Sequence, residues 1–162
     1  MIDLKAHMRH KDGTYVAYKM GLQSREMLDH FVEMNLGLTE RIDPDTYHVT
    51  VIYSKTPVPD AERYGEDSTA VATPIGYEVF PTKDGGRCLV MRVAAPDIVQ
   101  LNKELTLLGA TSDYDTYKPH VTICYNYTGA DDVSTLPLAQ FHLEVSGLEV
   151  KPLDTTFVPA NK

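Results

Sequence analysis

The alternation of apolar and polar positions predicts two copies of a strand–helix–strand unit along the 162 residues. Each copy opens with a β-rich run behind a glycine, continues into a helical pattern and closes with a second β-rich run. The predicted elements are a strand at 13–20, a helix at about 23–36 and a strand at 46–54, then a strand at 86–95, a helix beginning at Pro96 and a strand at 118–126.

The apolar residues of the two helical runs predict which helix faces are buried. Met27, Phe31 and Met34 fall at i, i+4 and i+7 of the first helix. Ile98, Leu101, Leu105 and Leu108 form the corresponding stripe of the second. Gly37 and Gly109 stand where a left-handed residue ends each helix.

The segments outside the two units predict further antiparallel strands. A hairpin over 73–93 turns at Asp84-Gly85-Gly86, and "FHLEVSGLEVKPL" indicates a pair of C-terminal strands. We therefore expect one bilobal domain over 1–162, with lobe 1 at about 13–70, lobe 2 at about 75–135 and C-terminal strands at 139–153.

The two closing strands carry the same motif in the same register. Eleven residues separate Gly37 from His48, and eleven separate Gly109 from His120. Both histidines begin a His–Val–Thr triplet, which ends at Thr50 in the first copy and at Thr122 in the second. A shared helix cap and a shared trailing Tyr make coincidence a poor explanation, so the sequence indicates an internal duplication.

Alternation along a strand assigns each residue of the motif to a face. His48 and Thr50, or His120 and Thr122, share one face, which Ile52 or Cys124 continues. The opposite face holds the valines and isoleucines and ends in Tyr53 or Tyr125, and we expect this face to be core.

If a pseudo-two-fold axis relates the lobes, both His–Thr faces line one groove. One neutral histidine can then remove a proton from an attacking hydroxyl while the other, protonated, gives one to a leaving oxygen. The two threonine hydroxyls can donate to phosphate oxygens where charge accumulates. This chemistry suits phosphodiester cleavage and requires no metal or cofactor.

Two other interpretations of the histidines are open on the sequence alone. A single copy of the motif is most often a hydrogen-bonded histidine in a half-buried strand. A zinc site is the other alternative, because histidine is a common metal ligand, but the sequence offers no clear third ligand.

Charge and composition restrict the partners. A net charge of −8 and the absence of a basic run argue against a long nucleic acid, so a phosphate-bearing ligand should be small and enclosed. No apolar run is long enough for a membrane span, and the N-terminus lacks the apolar segment of a signal peptide. Cys88 and Cys124 are expected to be buried, reduced thiols of a cytoplasmic protein.

The paired motifs "HVTV" (48–51) and "HVTI" (120–123) resemble the 2H phosphoesterase superfamily. The resemblance covers the whole chain and implies a bilobal α+β fold with antiparallel sheets flanking a central groove. The strands "GTYVAY" and "YKPHVTICY" and the C-terminal "PLD" segment look most like the phage branch that degrades the cyclic oligonucleotide messengers of CBASS immunity. The resemblance implies catalytic His48, Thr50, His120 and Thr122, and action in the host cytoplasm.

Candidates for substrate binding follow from residue chemistry. With no Trp in the chain, stacking on a base falls to Tyr15 or Phe157. Glu149 and Lys151 share a strand face where they can contact a base edge and a phosphate. Lys118, two residues before His120, is a further phosphate ligand.

Three functions therefore remain in competition. The first is a metal-independent phosphodiesterase of 3′,5′-linked cyclic di- or trinucleotides. The second is an RNA-end enzyme acting on 2′,3′-cyclic phosphates or 2′–5′ linkages. The third is a binding protein that sequesters a nucleotide without cutting it.

Overall fold

The computed structural model describes residue 5 and residues 9–65 and 67–161, which form an α+β domain. Its strands are β1 (Thr14–Met20), β2 (His48–Ser54), β3 (Ala70–Pro81), β4 (Arg87–Ala94), β5 (His120–Tyr125) and β6 (Leu143–Pro152). Its α-helices are α1 (Leu22–Asn35) and α2 (Pro96–Leu107), and short 3₁₀ turns occupy Pro44–Thr46 and Pro59–Arg63.

The strands form one antiparallel sheet whose order is symmetric about its middle. The order is β2-β1-β6-β3-β4-β5, so β1-α1-β2 in one half corresponds to β4-α2-β5 in the other. Strand β3 joins the halves, because Ala70–Ala72 pair with β6 while Thr73–Pro81 pair with β4. This confirms the bilobal α+β architecture and the hairpin turn, where Gly85 has a φ of 84°.

The C-terminal prediction of two strands is wrong. Residues 143–152 form the single strand β6, which pairs antiparallel with β1. Gly147 adopts a left-handed φ of 59°, and the register with β1 shifts between Ala17 and Lys19. The expected turn is therefore a bulge within one continuous strand, and it bends β6 without reversing it.

The predicted buried face of α1 is wrong for Met27 and Met34, although Phe31 is half-buried against the core, whereas that of α2 is confirmed in its first three residues. Helix α1 buries Ser24, Leu28 and Val32, while Met27 and Met34 are 38% and 67% exposed. Val32 and Leu28 are i, i+4 partners, and their branched side chains are buried in place of the methionines. Helix α2 buries Ile98, Leu101 and Leu105, and Leu108 is half-buried beyond its end.

Both helices end as the glycines predict. Gly37 and Gly109 follow the last turns of α1 and α2 with φ of 60° and 107°. A residue with a β-carbon is strained in this region of backbone space, so glycine is the residue that allows the chain to turn back towards the sheet.

The sheet curls until its two edge strands, β2 and β5, lie beside each other without forming a ladder. Hydrogen bonds from outside the ladders join the two edges. The Ile42 N–H donates to the Ile123 carbonyl at 2.9 Å, and the Tyr117 hydroxyl donates to the Thr50 carbonyl at 2.7 Å. The His–Val–Thr motifs, one on each edge strand, are thereby brought to one place.

Two further expectations concern burial and the membrane. Cys88 and Cys124 are buried, unpaired thiols, as predicted. Among the described residues, no helix has the length and apolar character needed to cross a membrane.

Candidate active site

The two histidines occupy equivalent positions and are held in the same way. His48 Nδ1 lies 2.8 Å from the Thr46 carbonyl oxygen, and His120 Nδ1 lies 2.7 Å from the Lys118 carbonyl oxygen. A carbonyl oxygen can only accept, so each Nδ1 must carry the hydrogen. In the neutral ring this leaves Nε2 unprotonated and able to take up a proton, and that holds in both lobes.

The first four residues of each motif strand alternate between the core and the groove face, as predicted. Val49 and Val51 are fully buried, as are Val121 and Ile123, while the histidines and threonines are half-buried on the other face. The apolar face packs into the core and fixes each strand. The His–Thr face is left towards the groove.

The assignment of Tyr53 to the core is wrong, and Tyr125 is only partly buried against the core. Tyr53 is 38% exposed and Tyr125 is half-buried, whereas Ile52 and Cys124 are buried. The residues after each threonine change sides of the strand because β2 and β5 each contain a β-bulge at the same motif position. Strand β1 pairs Val16 with Ile52 and Ala17 with Thr50, so one residue of β2 is extra; β4 pairs Leu89 with Cys124 and Val90 with Thr122 in the same manner.

Each bulge turns its trailing tyrosine to the threonine side of the strand. An extra residue shifts the alternation by one, so Tyr53 follows Thr50 onto the groove face. Burial raises the pKa of the Tyr125 hydroxyl, and the neighbouring Thr122 side chain opposes that rise. The Tyr53 ring meets the Tyr15 ring edge-on at 6.4 Å between centroids. The groove is therefore lined by more aromatic surface than the sequence indicated.

In lobe 1 the structure brings three of the predicted substrate-binding residues together. The Tyr15 hydroxyl lies 3.3 Å from Thr50 Oγ1, and Lys151 Nζ lies 5.3 Å from the centre of the Tyr15 ring. Glu149 binds Lys151 at 2.9 Å and Lys19 at 3.4 Å. Lys19, which the sequence analysis missed, pairs across the ladder with His48.

In lobe 2 the predicted Lys118 is joined by residues that the sequence analysis missed. Lys118 Nζ lies 3.2 Å from Glu78, and Arg92 reaches the same carboxylate at 2.9 Å. Arg92 is the cross-strand partner of His120. The Phe80 ring packs edge-on against the His120 ring at 5.0 Å between centroids. Glu78 and Phe80 are separated by two positions on β3, and that alternation was the signal available in the sequence.

The structure does not place Phe157 against the other predicted residues. Its side chain is 70% exposed in the segment after β6, and it makes no ring contact with another described residue. The segment is tied to lobe 2 at its far end, where the Asn161 amide pairs with both backbone groups of Tyr125 at 2.8 and 2.6 Å. Phe157 remains a prediction.

The surroundings of the His120 ring oppose its charged form. Burial disfavours the charged form of His120 and lowers its pKa, and charge on His48 and Arg92 acts in the same direction. The bond to the Lys118 carbonyl and the Glu78 carboxylate oppose these effects without overcoming them. His120 is therefore predisposed to be neutral, which is the state that a general base requires.

The side chains around the motifs do not form a metal site. Within residues 9–65 and 67–161, no three His, Cys, Asp or Glu side chains lie close enough together to hold a metal ion.

Lobe 2 holds the backbone of β2 at the first motif through two side chains. Tyr117 donates to the Thr50 carbonyl, and Asn102 Nδ2 donates to the Val51 carbonyl at 2.8 Å. Burial raises the pKa of the Tyr117 hydroxyl, which keeps it a donor. Because Tyr117 lies three residues before His120, this bond connects the two motifs directly.

We expect Tyr117→Phe to lower kcat/KM by about 10-fold and the free energy of unfolding by about 1 kcal/mol, since only one hydrogen bond is lost. The matched control is Tyr77→Phe, which removes a Tyr hydroxyl that donates to the Pro137 carbonyl at 2.8 Å outside the motifs. Chemical denaturation and steady-state kinetics on both variants make the comparison. Equal activity in the two variants would contradict a role for Tyr117 in aligning the motifs.

The fold and the paired motifs define the structural class to which the protein belongs. The structure superposes on TT0787, a protein of Thermus thermophilus, with a TM-score of 0.62 at 18% identity over 85% of this chain and 86% of that one. It also superposes on E. coli LigT in its NADP+ complex, with a TM-score of 0.56 at 17% identity over 85% of each chain. The fold is that of the 2H phosphoesterases.

Sequence comparison narrows the class to a family. Residues 12–159 match the family described as anti-CBASS protein Acb1, and this chain belongs to that family. It is 33% identical to the Acb1 protein of Vibrio phage KVP40 over 92% of this chain and 93% of the relative. It is 32% identical to that of Enterobacteria phage T4 over 70% and 72%.

Proposed function

We propose that the chain is a metal-independent phosphodiesterase that cleaves 3′,5′-linked cyclic di- or trinucleotides and so blocks CBASS signalling. The observation that carries this proposal is the identical orientation of the two histidines, each with Nδ1 bound to a carbonyl two residues earlier. Mere binding of a nucleotide does not require two proton-transfer groups. Membership of the anti-CBASS family supports a cyclic messenger as the substrate.

The arrangement accounts for each proton and bond of the cleavage step. Neutral His120 takes the proton of the attacking oxygen, which forms a bond to phosphorus. His48, protonated, donates to the departing 5′ oxygen as its bond to phosphorus breaks. Thr50 and Thr122 donate to the non-bridging oxygens, where negative charge increases in the transition state.

The attacking oxygen is the ribose 2′ hydroxyl or a water molecule, and the two leave different products. Attack by the 2′ hydroxyl opens the ring to a linear isomer with a 2′,3′-cyclic phosphate and a 5′ hydroxyl, so the mass is unchanged. Attack by water adds the mass of one water. The side chains proposed to hold the remainder of the substrate are Tyr15, Lys118, Glu149, Lys151 and Phe157.

The proposal is tested by incubating the protein with a panel of cyclic di- and trinucleotides in EDTA and identifying products by chromatography and mass spectrometry. We expect linear products in the presence of EDTA. Short linear RNAs with 2′,3′-cyclic ends or 2′–5′ linkages belong in the same panel. Cleavage of these alone would establish RNA-end processing, and recovery of every ligand intact would establish sequestration.

The pH dependence follows from the pKa of His120. As the proposed base, His120 must be neutral, and its pKa lies below the ordinary histidine value of 6.5. We therefore expect the acid limb of the kcat/KM profile below pH 6.5. Arg92→Gln removes a positive charge that lowers this pKa, so the limb should move to higher pH. An acid limb that does not move in Arg92→Gln would contradict the assignment of His120 as the base.

A further inference from the structure

The duplication extends beyond the two motifs into β6 and β3, the strands that pair with β1 and β4. In lobe 1, Glu149 pairs with Ala17, which pairs with Thr50. In lobe 2, Glu78 pairs with Val90, which pairs with Thr122. Each threonine therefore ends a cross-strand row of three residues, and each row begins with a glutamate two strands away, at about 10 Å.

The two glutamates also have equivalent partners. Glu149 is bound by Lys19, the neighbour of His48, and by Lys151. Glu78 is bound by Arg92, the neighbour of His120, and by Lys118. Both carboxylates are 34% exposed, so each remains partly accessible to a ligand.

Each cluster combines one carboxylate with two cations and so carries a net positive charge, in a chain whose net charge is −8. In Glu78, partial burial opposes ionisation, but hydrogen bonds from Lys118 and Arg92 prevail and lower the pKa. Glu149 likewise has a lowered pKa, first through its bond to Lys151. Both groups are ionised acceptors at neutral pH.

A nucleotide presents the complementary groups at a similar separation. Its phosphate is an acceptor for Lys and Arg, and the outer edge of adenine, cytosine or guanine carries an amino group that donates to a carboxylate. If the scissile phosphate lies between the histidines, the bases on its two sides can extend along the two rows. The Arg92 Nε is buried and has no hydrogen-bond partner among the described residues, so the guanidinium is not fully committed to Glu78.

We propose that Glu78, with Arg92 and Lys118, is a second base-edge site equivalent to the one predicted at Glu149, so that the groove reads an amino-bearing base on each side of the scissile phosphate. This inference rests on the proposed function and extends it from cleavage to base selection. It assigns Glu78 a part in specificity that an isolated surface ion pair would not have.

The test measures whether the glutamate and the base amino group contribute to binding together, which we call their coupling. Affinities of variants with and without the carboxylate for ligands with and without the amino group are measured by calorimetry in a His48→Ala background, where cleavage does not interfere. The ligands are cyclic di-AMP and its analogue with purine in place of both adenines, which lacks only the amino groups. Glu78→Gln should weaken binding of cyclic di-AMP by about 10- to 100-fold and leave binding of the purine analogue nearly unchanged. Glu149→Gln should give the same pattern.

The control is Asp29→Asn on α1, which breaks the Arg41–Asp29 ion pair outside both rows and should change neither affinity. Equal weakening of both ligands by Glu78→Gln, or no weakening, would overturn the inference, and so would failure of cyclic di-AMP to bind. If the coupling appears but the protein with both histidines intact cleaves nothing, the base-edge site holds and the phosphodiesterase proposal fails. If cleavage occurs without the coupling, the reverse is true.

Discussion

Replacing either histidine by asparagine is expected to lower kcat by about 10²- to 10⁴-fold, the range that a positioned proton-transfer group contributes. Asparagine is the informative substitution because its amide can still donate to the carbonyl that now accepts from Nδ1, at Thr46 or Lys118. The strand geometry is thereby retained and only the titrating Nε2 is lost. Both histidines are half-buried, so the fold should tolerate the change.

The matched control is His30→Asn on the exposed face of α1, which should leave turnover unchanged. Thermal unfolding of all three variants verifies that they are folded. Because the two histidines act in one step, the double variant should be little worse than either single variant. Normal turnover in His48→Asn or His120→Asn would remove the two-histidine mechanism.

Replacing either threonine by valine is expected to lower kcat by about 10²-fold or more, since a donor to the developing charge is lost. Valine has nearly the same shape as threonine and suits a strand, so the effect reports on the hydroxyl. Thr50 Oγ1 lies 3.3 Å from the Tyr15 hydroxyl, and Thr122 lies beside the Tyr125 side chain. The loss should appear in kcat with a smaller change in KM, because the charge develops only in the transition state.

The control is Thr73→Val on β3, whose hydroxyl lies 2.8 Å from His142 outside the groove. Single-turnover kinetics on the three variants separates the chemical step from product release. Unchanged rates in both Thr50→Val and Thr122→Val would show that the hydroxyls have a packing role alone.

The sequence predicted the architecture because the duplication repeats every local signal. Each glycine cap and each motif has a counterpart 72 residues away, so ambiguities in one copy are resolved by the other. The prediction that His48 and His120 are equivalent residues required only this repeated spacing. The structure then explains the pairing physically, since the two motifs lie on edge strands that the curled sheet brings together.

The errors arose where long-range pairing overrides local periodicity. The β-bulges that turn Tyr53 and Tyr125 to the groove are defined by the partners of β2 and β5, and nothing within either strand indicates an extra residue. The buried face of α1 depends in the same way on what the sheet presents to it. Met27 and Met34 satisfy the helical period, yet the residues that pack against the core are Leu28 and Val32.

The sequence also could not predict which residues on neighbouring strands lie beside the motifs. Lys19, Glu78 and Arg92 lie on strands other than those of the motifs. Only the sheet register places Lys19 beside His48, Arg92 beside His120 and Glu78 in the row that ends at Thr122. Tyr117 is a loop residue whose partner, the Thr50 carbonyl, belongs to the opposite lobe. Such contacts follow from topology and become visible once the sheet is assembled.

The measurement that tests the central claim most directly is a crystal structure of the protein bound to a non-hydrolysable phosphorothioate analogue of a cyclic dinucleotide. We predict one phosphorothioate group between the two histidines, with Nε2 of each within hydrogen-bond distance of a different oxygen and both threonine hydroxyls on the non-bridging atoms. A ligand bound elsewhere, or bound in the groove with its phosphates away from His48 and His120, would contradict the account.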